Sequence, residues 1–412
     1  MAATPRAFTQ GGKWHPRLLI LALLYMAADA GRRSYRGVIE ALWGEARALR
    51  LKLPRAEEAT APAFCNARPK LHTALMGRLV QTMAKQASTA AGESGKWKGR
   101  RLLAIDGSKI ALRRSEELQK TFGGPTGSHF PQMLAMVLFD VVLGIAVQFL
   151  TASYRGSERT EMRPLLDHVC RGAVLLLDRG FEAFELFCRL RKRGIDFVVR
   201  CRARGGFKAI ERFVRSGLRE AWIMIDRPRD CPPWTSKQLR LRAVRCELKN
   251  GRLEVLLTTL GLEFASAQEI EDVYWKRWRI ELYFRELKAR WFSPLQFHSE
   301  TPAGVEQEFG AQVLFTAIAA SLIVAAGAKH GVPFEEISRK AVLLGLEDFI
   351  LRLGLFDDLE LLERELAALL AQSARRRYKK RPGRSYPRVS YAPGSKWGPN
   401  GNNGTHRNGR TR

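Results

Sequence analysis

Residues Tyr274–Lys288, YWKRWRIELYFRELK, carry the reading around which the rest of the chain is organised. At about 100° per residue, Tyr274, Arg277, Glu281 and Lys288 fall within about 60° of one another on a single helix. That stripe is polar where an amphipathic helix should be apolar. Trp275, Trp278 and Leu282 lie to one side of it, and Val273, Ile280, Phe284 and Leu287 to the other. Apolar contacts are expected to hold the helix on both flanks, leaving the stripe as the wall of a polar cleft.

The surrounding chain has 412 residues and 46% hydrophobic content, enough for two or three domains with real cores. Lys and Arg number 69 against 41 Asp and Glu, a formal charge of +28. Such an excess repels itself unless a polyanion relieves it, which makes nucleic acid the first expected partner and an anionic membrane surface the second. The charge is clustered: Arg375 to Arg412 holds twelve Lys or Arg and no carboxylate. Cysteines at 65, 170, 188, 201, 231 and 246 form no CxxC pair and no zinc-ligand spacing, as expected of reduced thiols in the cytoplasm. The apolar run Leu18–Ala28 is too short to span a bilayer and reads as a buried helix, so neither export nor a membrane partner is expected.

Residues 1–95 read as a helical, DNA-binding region, with apolar periodicity in Leu18–Ala28, Tyr35–Leu49 and Leu71–Met83. Thr60 is a candidate N-cap with Pro62 in the first turn, a helix-turn-helix is one possible arrangement, and Pro69 interrupts the second helix. Lys98–Arg101, preceded by Gly92 and Gly95, reads as a linker. Strands are then expected at Leu102–Ile105, Met133–Phe139, Ile145–Thr151, Val174–Leu177 and Ile195–Arg200, with helices at Ser157–Val169 and Phe181–Arg193. This is the order of a mixed α/β sheet with helices on its faces, a first core segment spanning 96–200. Residues 201–262 read as an inserted β subdomain, with strands Leu239–Leu248 and Arg252–Thr258 joined at Asn250-Gly251. The core resumes over 263–300, a helical C-terminal region covers 301–372, and a basic tail, disordered when free, covers 373–412.

Asp106 and Asp178 share a placement, each directly following a short apolar strand, in AIDGS and LLDRGF. Carboxylates at the C-terminal ends of adjacent strands converge, and a divalent metal would resolve their repulsion. Glu281 is the natural third ligand. Three acids beside a basic helix suggest a metal pair acting on a phosphodiester, with Arg277 and Lys288 holding phosphates and Tyr274 donating a hydrogen bond to one. Taken singly, such residues are more often caps or solvated ion pairs; taken together they mark a candidate active site.

With these residues in place, the sequence resembles the DDE transposases of bacterial insertion sequences that carry the YREK signature, Y-x2-R-x3-E-x6-K, met by Tyr274, Arg277, Glu281 and Lys288. Segments DGS at Asp106, GSER at Gly156–Arg159, DRGF at Asp178–Phe181 and RPGRSYPR at Arg381–Arg388 share the likeness, which runs from about residue 60 to 390. The resemblance implies an RNase H-like core in which Asp106, Asp178 and Glu281 are catalytic and bind two Mg²⁺ or Mn²⁺ ions. It also implies a homodimer that cleaves the terminal inverted repeats of a double-stranded element through hairpin intermediates and joins them to target DNA. Members of that family stack a flipped base on a tryptophan of the β insert; Trp222 and Trp234 lie in this region, where either could serve as that surface or be part of the small β core. Two other readings stay open on residues alone: a metal-dependent nuclease without strand transfer, and a DNA-binding protein with a decayed catalytic core.

Overall fold

A computed structural model describes residues 14–28, 34–50, 57–72, 74–247, 253–291, 297–355 and 358–378. The Asn250-Gly251 turn and the segment Arg381–Arg388, with nearly all of the basic tail, lie outside them. The chain opens with helices α1 (Pro16–Ala28), α2 (Tyr35–Ala48), α3 (Ala61–Ala67) and α4 (Ala74–Ala91). Thr60 caps α3 as expected, its side chain accepting from the Ala63 amide, and Pro69 sits in a 3₁₀ turn that ends the helix. Strand β1 (Leu102–Ala111), helix α5 (Glu116–Phe122), strands β2 (Gln132–Asp140) and β3 (Ile145–Ser153), helix α6 (Glu158–Glu161) and strand β4 (Val174–Leu177) follow. Then come α7 (Phe184–Lys192), β5 (Asp196–Cys201), α8 (Lys208–Ser216), β6 (Glu220–Asp226), β7 (Gln238–Glu247) and β8 (Leu253–Thr258). The chain continues as α9 (Ala267–Trp275), α10 (Trp278–Trp291), α11 (Pro302–His330), α12 (Arg339–Leu355) and α13 (Leu359–Arg375).

All eight strands form one mixed sheet in the order β3-β2-β1-β4-β5-β8-β7-β6. The first five give the RNase H-like core: β1, β2 and β3 are antiparallel neighbours, and β4 and β5 run parallel to β1. The central strands Leu102–Ile105, Val174–Leu177 and Phe197–Val199 are fully buried, as continuous apolar runs covered on both faces must be. Strands β6, β7 and β8 make no sheet of their own. Antiparallel pairing of β8 with β5, Val199 opposite Leu257, extends the core sheet across the insert.

Several local expectations are corrected. Residues Lys98–Arg101 form a tight bridge between Trp97 and Arg100 rather than an open linker. The helix expected over Ser157–Val169 is one short helical turn followed by 3₁₀ structure at Arg163–His168, where Pro164 removes an amide the α-helix would need. The described residues from Trp14 to Arg377 make one compact unit. The reason is α11, 29 residues and therefore about 44 Å long, which packs against α1, α4, α12, α13 and β3. It is apolar and long enough to cross a membrane, yet most of its surface is covered by these neighbours, as in a core helix. A buried ion pair, Arg68 Nη1 to Glu308 Oε1 at 2.8 Å, with Arg68 Nη2 to the Gly304 carbonyl at 2.7 Å, fastens the N-terminal helices to its first turns.

Candidate active site

Sheet register sets the site. Parallel pairing of β1 with β4 places Leu102 opposite Val174 and Ala104 opposite Leu176; the same offset of 72 residues brings Asp106 level with Asp178. Pairing of β4 with β5, Leu177 opposite Val199, continues the row to Arg200. Neighbouring strands are about 4.8 Å apart, so residues of equal rank on one face are neighbours. Asp106 is not at a strand end as expected: β1 runs on to Ala111, and Asp106 also pairs with Val137 of β2. The strand that stops is β4, and Asp178 caps the turn at Arg179–Phe181 with its own side chain.

The two carboxylates meet different neighbours. Arg200 donates to Asp178 Oδ1 from Nη2 at 2.7 Å and from Nε at 3.2 Å, and the Arg179 amide donates to the same oxygen. Burial opposes ionisation of Asp178, but the Arg179 amide, Arg277 and Arg200 outweigh it and hold its pKa below the usual value. Among the described residues Asp106 accepts only the Gly107 amide, at 2.9 Å, and its ion-pair partner, Arg277 Nη1, stands 3.8 Å away. Burial dominates there and pushes the Asp106 carboxyl up to about 7, helped by Glu158 and Asp178.

The helix expected over Tyr274–Lys288 is two helices. It breaks at Lys276–Arg277, where Arg277 N bonds to Tyr274 O at 2.9 Å and Ile280 N to Arg277 O at 3.0 Å, a tighter i to i+3 pattern. Tyr274 therefore ends α9, Arg277 lies in the joint, and Glu281 and Lys288 ride on α10. The joint keeps three of the four residues together. Arg277 Nη2 pairs with Glu281, and the Arg277 guanidinium carbon lies 5.8 Å from the centre of the Tyr274 ring. Nothing in the structure brings Lys288, which is exposed, to that group.

Tyr274 and Arg277 are buried rather than lining an open cleft, at 2% and 5% exposure. Of the two apolar flanks only one is covered: Val273, Ile280, Phe284 and Leu287 are buried, whereas Trp275, Trp278 and Leu282 are 40%, 42% and 37% exposed. The covered flank faces the sheet, where Phe139 of β2 packs on Tyr283 at 4.9 Å between ring centres.

Glu281 is turned onto Arg277, and among the described residues no three Asp, Glu, His or Cys side chains gather as a metal site. The donor chemistry still suits a hard divalent ion. Asp106 and Asp178 offer carboxylate oxygens at equal rank, and Asp106 is short of positive charge. The Tyr274 hydroxyl and the Arg277 Nε and Nη1 atoms are buried with no hydrogen-bond partner in acceptable geometry, so an oxygen-bearing ligand would satisfy them. Arg277 lies between Asp106 and Glu281 as their shared cation.

Two further residues near this row are not among the candidates picked from sequence, although one lies in a segment that carries the family likeness. Arg200 lies inside β5, directly after the apolar run Phe197–Val199, and only the pairing of β5 with β4 reveals its rank. Glu158, in the GSER segment, lies over Gly107: a Cβ built there would stand 2.8 Å from Glu158 Oε1. Burial, with Asp178 nearby, raises the pKa of Glu158. Trp222 and Trp234 are both exposed, with the Arg240 and Arg189 guanidinium groups over them at 4.8 and 5.0 Å.

The chain is similar to known proteins. A curated relative, "Putative transposase InsZ" of Escherichia coli (strain K12), is 27% identical over 105 residues, 24% of this chain. The chain spans about a third of that relative's length, 35%. A piggyBac transposase, solved by cryo-EM as a synaptic complex with hairpin DNA, is 10% identical with a TM-score of 0.46, the likeness covering 93% of this chain and 81% of that one. The family model described as the transposase DDE domain matches residues 97–318, more than half of the chain, and encloses Asp106, Asp178 and Glu281. The chain belongs to the transposase DDE domain family.

Proposed function

We propose that this protein is a DNA transposase that binds the terminal inverted repeats of an insertion sequence, cleaves the ends and joins them to target DNA. The observation that carries the reading is the equal rank of Asp106 and Asp178 on parallel strands, with Glu281 tied to Asp106 through Arg277. Asp106, Asp178 and Glu281 would hold Mg²⁺ or Mn²⁺, two ions per site. Bound there, the ions supply Lewis-acid activation of the attacking oxygen and stabilise the leaving one. Asp178, kept ionised by the Arg179 amide, Arg277 and Arg200, offers an anion; Asp106, pushed up to about 7 by burial, would become one when a divalent cation binds.

Lys288, exposed on α10, is placed to meet a DNA phosphate directly. Tyr274 and Arg277 have unmet donors for a phosphate oxygen, reached once Arg277 gives up its contacts with the acids. The exposed rings of Trp222 and Trp234 offer stacking surfaces for an unpaired base, in keeping with a hairpin route. We place the protein in the cytoplasm, acting on DNA as a homodimer.

The test uses purified protein, Mg²⁺ and a plasmid carrying the DNA that flanks the gene. Asp106→Ala, Asp178→Ala and Glu281→Ala should each reduce end cleavage by at least about a thousandfold while leaving end binding in a gel shift intact. Retained cleavage in any one variant removes that residue from the site. Joining of a labelled 3′-OH end to a target plasmid separates a transposase from a nuclease that only nicks, and a denaturing gel shows whether hairpin ends form.

A further inference from the structure

We propose that Arg200, braced by Glu254 of the inserted strands, is a positioning residue that fixes Asp178 by one carboxylate oxygen and leaves the other to bind a divalent ion. The inference rests on the reading of Asp178 as a metal ligand.

Three donors converge on Asp178 Oδ1: Arg200 Nη2 at 2.7 Å, Arg200 Nε at 3.2 Å and the Arg179 amide. Among the described residues Oδ2 receives no hydrogen bond. A carboxylate gripped this way cannot rotate about its last bond without losing all three bonds, so Oδ2 points in one direction. Rank on the sheet explains why Arg200 can do this, since it is level with Asp178 on the neighbouring parallel strand.

Arg200 is itself held from the far side. It pairs with Leu256 of β8, and Glu254, two residues earlier on that strand, shares the Leu256 face. The Glu254 carboxylate is buried and stands 3.8 Å from Arg200 Nη1. The relay runs from the insert, through β5, to the end of β4. It gives the insert a task at the catalytic centre besides any contact with DNA, because β8 brings the brace. In this role Arg200 acts through Asp178.

The experiment measures Mn²⁺ binding to the full-length protein by electron paramagnetic resonance of the free ion, beside end binding by gel shift and cleavage against Mn²⁺ concentration. Arg200→Gln should weaken Mn²⁺ binding about tenfold, the lower end of what loss of an outer-shell partner costs. Arg200→Lys should recover part of the affinity and Glu254→Gln should cost about threefold. End binding should stay within about twofold, and excess Mn²⁺ should restore cleavage, a defect in KM for the metal rather than in kcat. If Arg200→Gln unfolds, Arg200→Lys and Glu254→Gln carry the test. Unchanged Mn²⁺ affinity in folded variants overturns the proposal, as does loss of end binding alone, which would make Arg200 a DNA contact. Asp178→Ala is the reference: if it leaves both Mn²⁺ binding and cleavage intact, the active-site reading itself fails. If it abolishes both while the Arg200 variants bind Mn²⁺ normally, only the positioning role fails.

Discussion

Asp106 and Asp178 occupy the same rank on adjacent parallel strands, yet the protein treats them in opposite ways. Asp178 is surrounded by donors and kept ionised; Asp106 is buried with a single amide and a guanidinium 3.8 Å away, and its pKa rises to about 7. Both follow short apolar runs, so residue pattern alone makes them equivalent. The difference comes from what packs beside each: the Arg179 amide, Arg277 and Arg200 of the next strand outweigh burial at Asp178, while burial prevails over the Gly107 amide and Arg277 at Asp106. One acid is prepared in advance and the other waits for charge.

The strongest way to break this contrast is to remove the shared cation. Arg277→Met in metal-free buffer at pH 8 should cost about 3–5 kcal/mol of stability by leaving Asp106 and Glu281 without a counter-charge. Saturating Mn²⁺ should recover part of it; a denaturant melt that shows no loss would mean that Arg277 does not hold the acids. Next in size is Asp106→Asn. The folded pKa of Asp106 lies above its unfolded value, so the wild type binds an extra proton when folded and loses stability as pH rises from about 4 to about 7. The Asn variant escapes that loss and should be more stable by about 2–4 kcal/mol at pH 8 without metal, with little difference at pH 4.

Asp178→Asn should have the opposite sign. The folded pKa of Asp178 is depressed, so its contribution is present above the unfolded pKa and is lost as pH falls through the folded one. Loss of charge-assisted bonds to Arg200 should cost about 1–2 kcal/mol at pH 7. If both Asn variants shift stability in the same direction, the two acids are not treated differently. The smallest effect belongs to the exposed flank of α10: Trp278→Ser should stay within about 0.5 kcal/mol, and a larger loss in a thermal melt would show that the flank is covered in solution.

Much of the core could be read from residue order. The runs Leu102–Ile105, Val174–Leu177 and Phe197–Val199 announce buried parallel strands because water is excluded from both faces, and their side chains must be apolar throughout. Thr60 and Pro69 mark the two ends of α3 through local backbone chemistry. Other features were hidden for physical reasons. An ideal helix is assumed whenever spacing is converted to angle, and the joint at Lys276–Arg277 violates it without a glycine or proline to give warning. The flanks of α10 look alike in composition, and only packing shows that one meets the sheet while the other stays exposed.

Residue order by itself determined the catalytic candidates: Asp106 and Asp178 behind apolar strands, and Glu281 four residues from Arg277. Those are local facts, settled by alternation, helical spacing and side-chain chemistry. Tertiary structure decided the rank of Asp106, Asp178 and Arg200, the extension of the sheet through β8, and the sharing of Arg277 between two acids. Each of these joins residues far apart in the chain through strand pairing or burial. Charge, desolvation and register act through space, and a one-dimensional pattern records none of them.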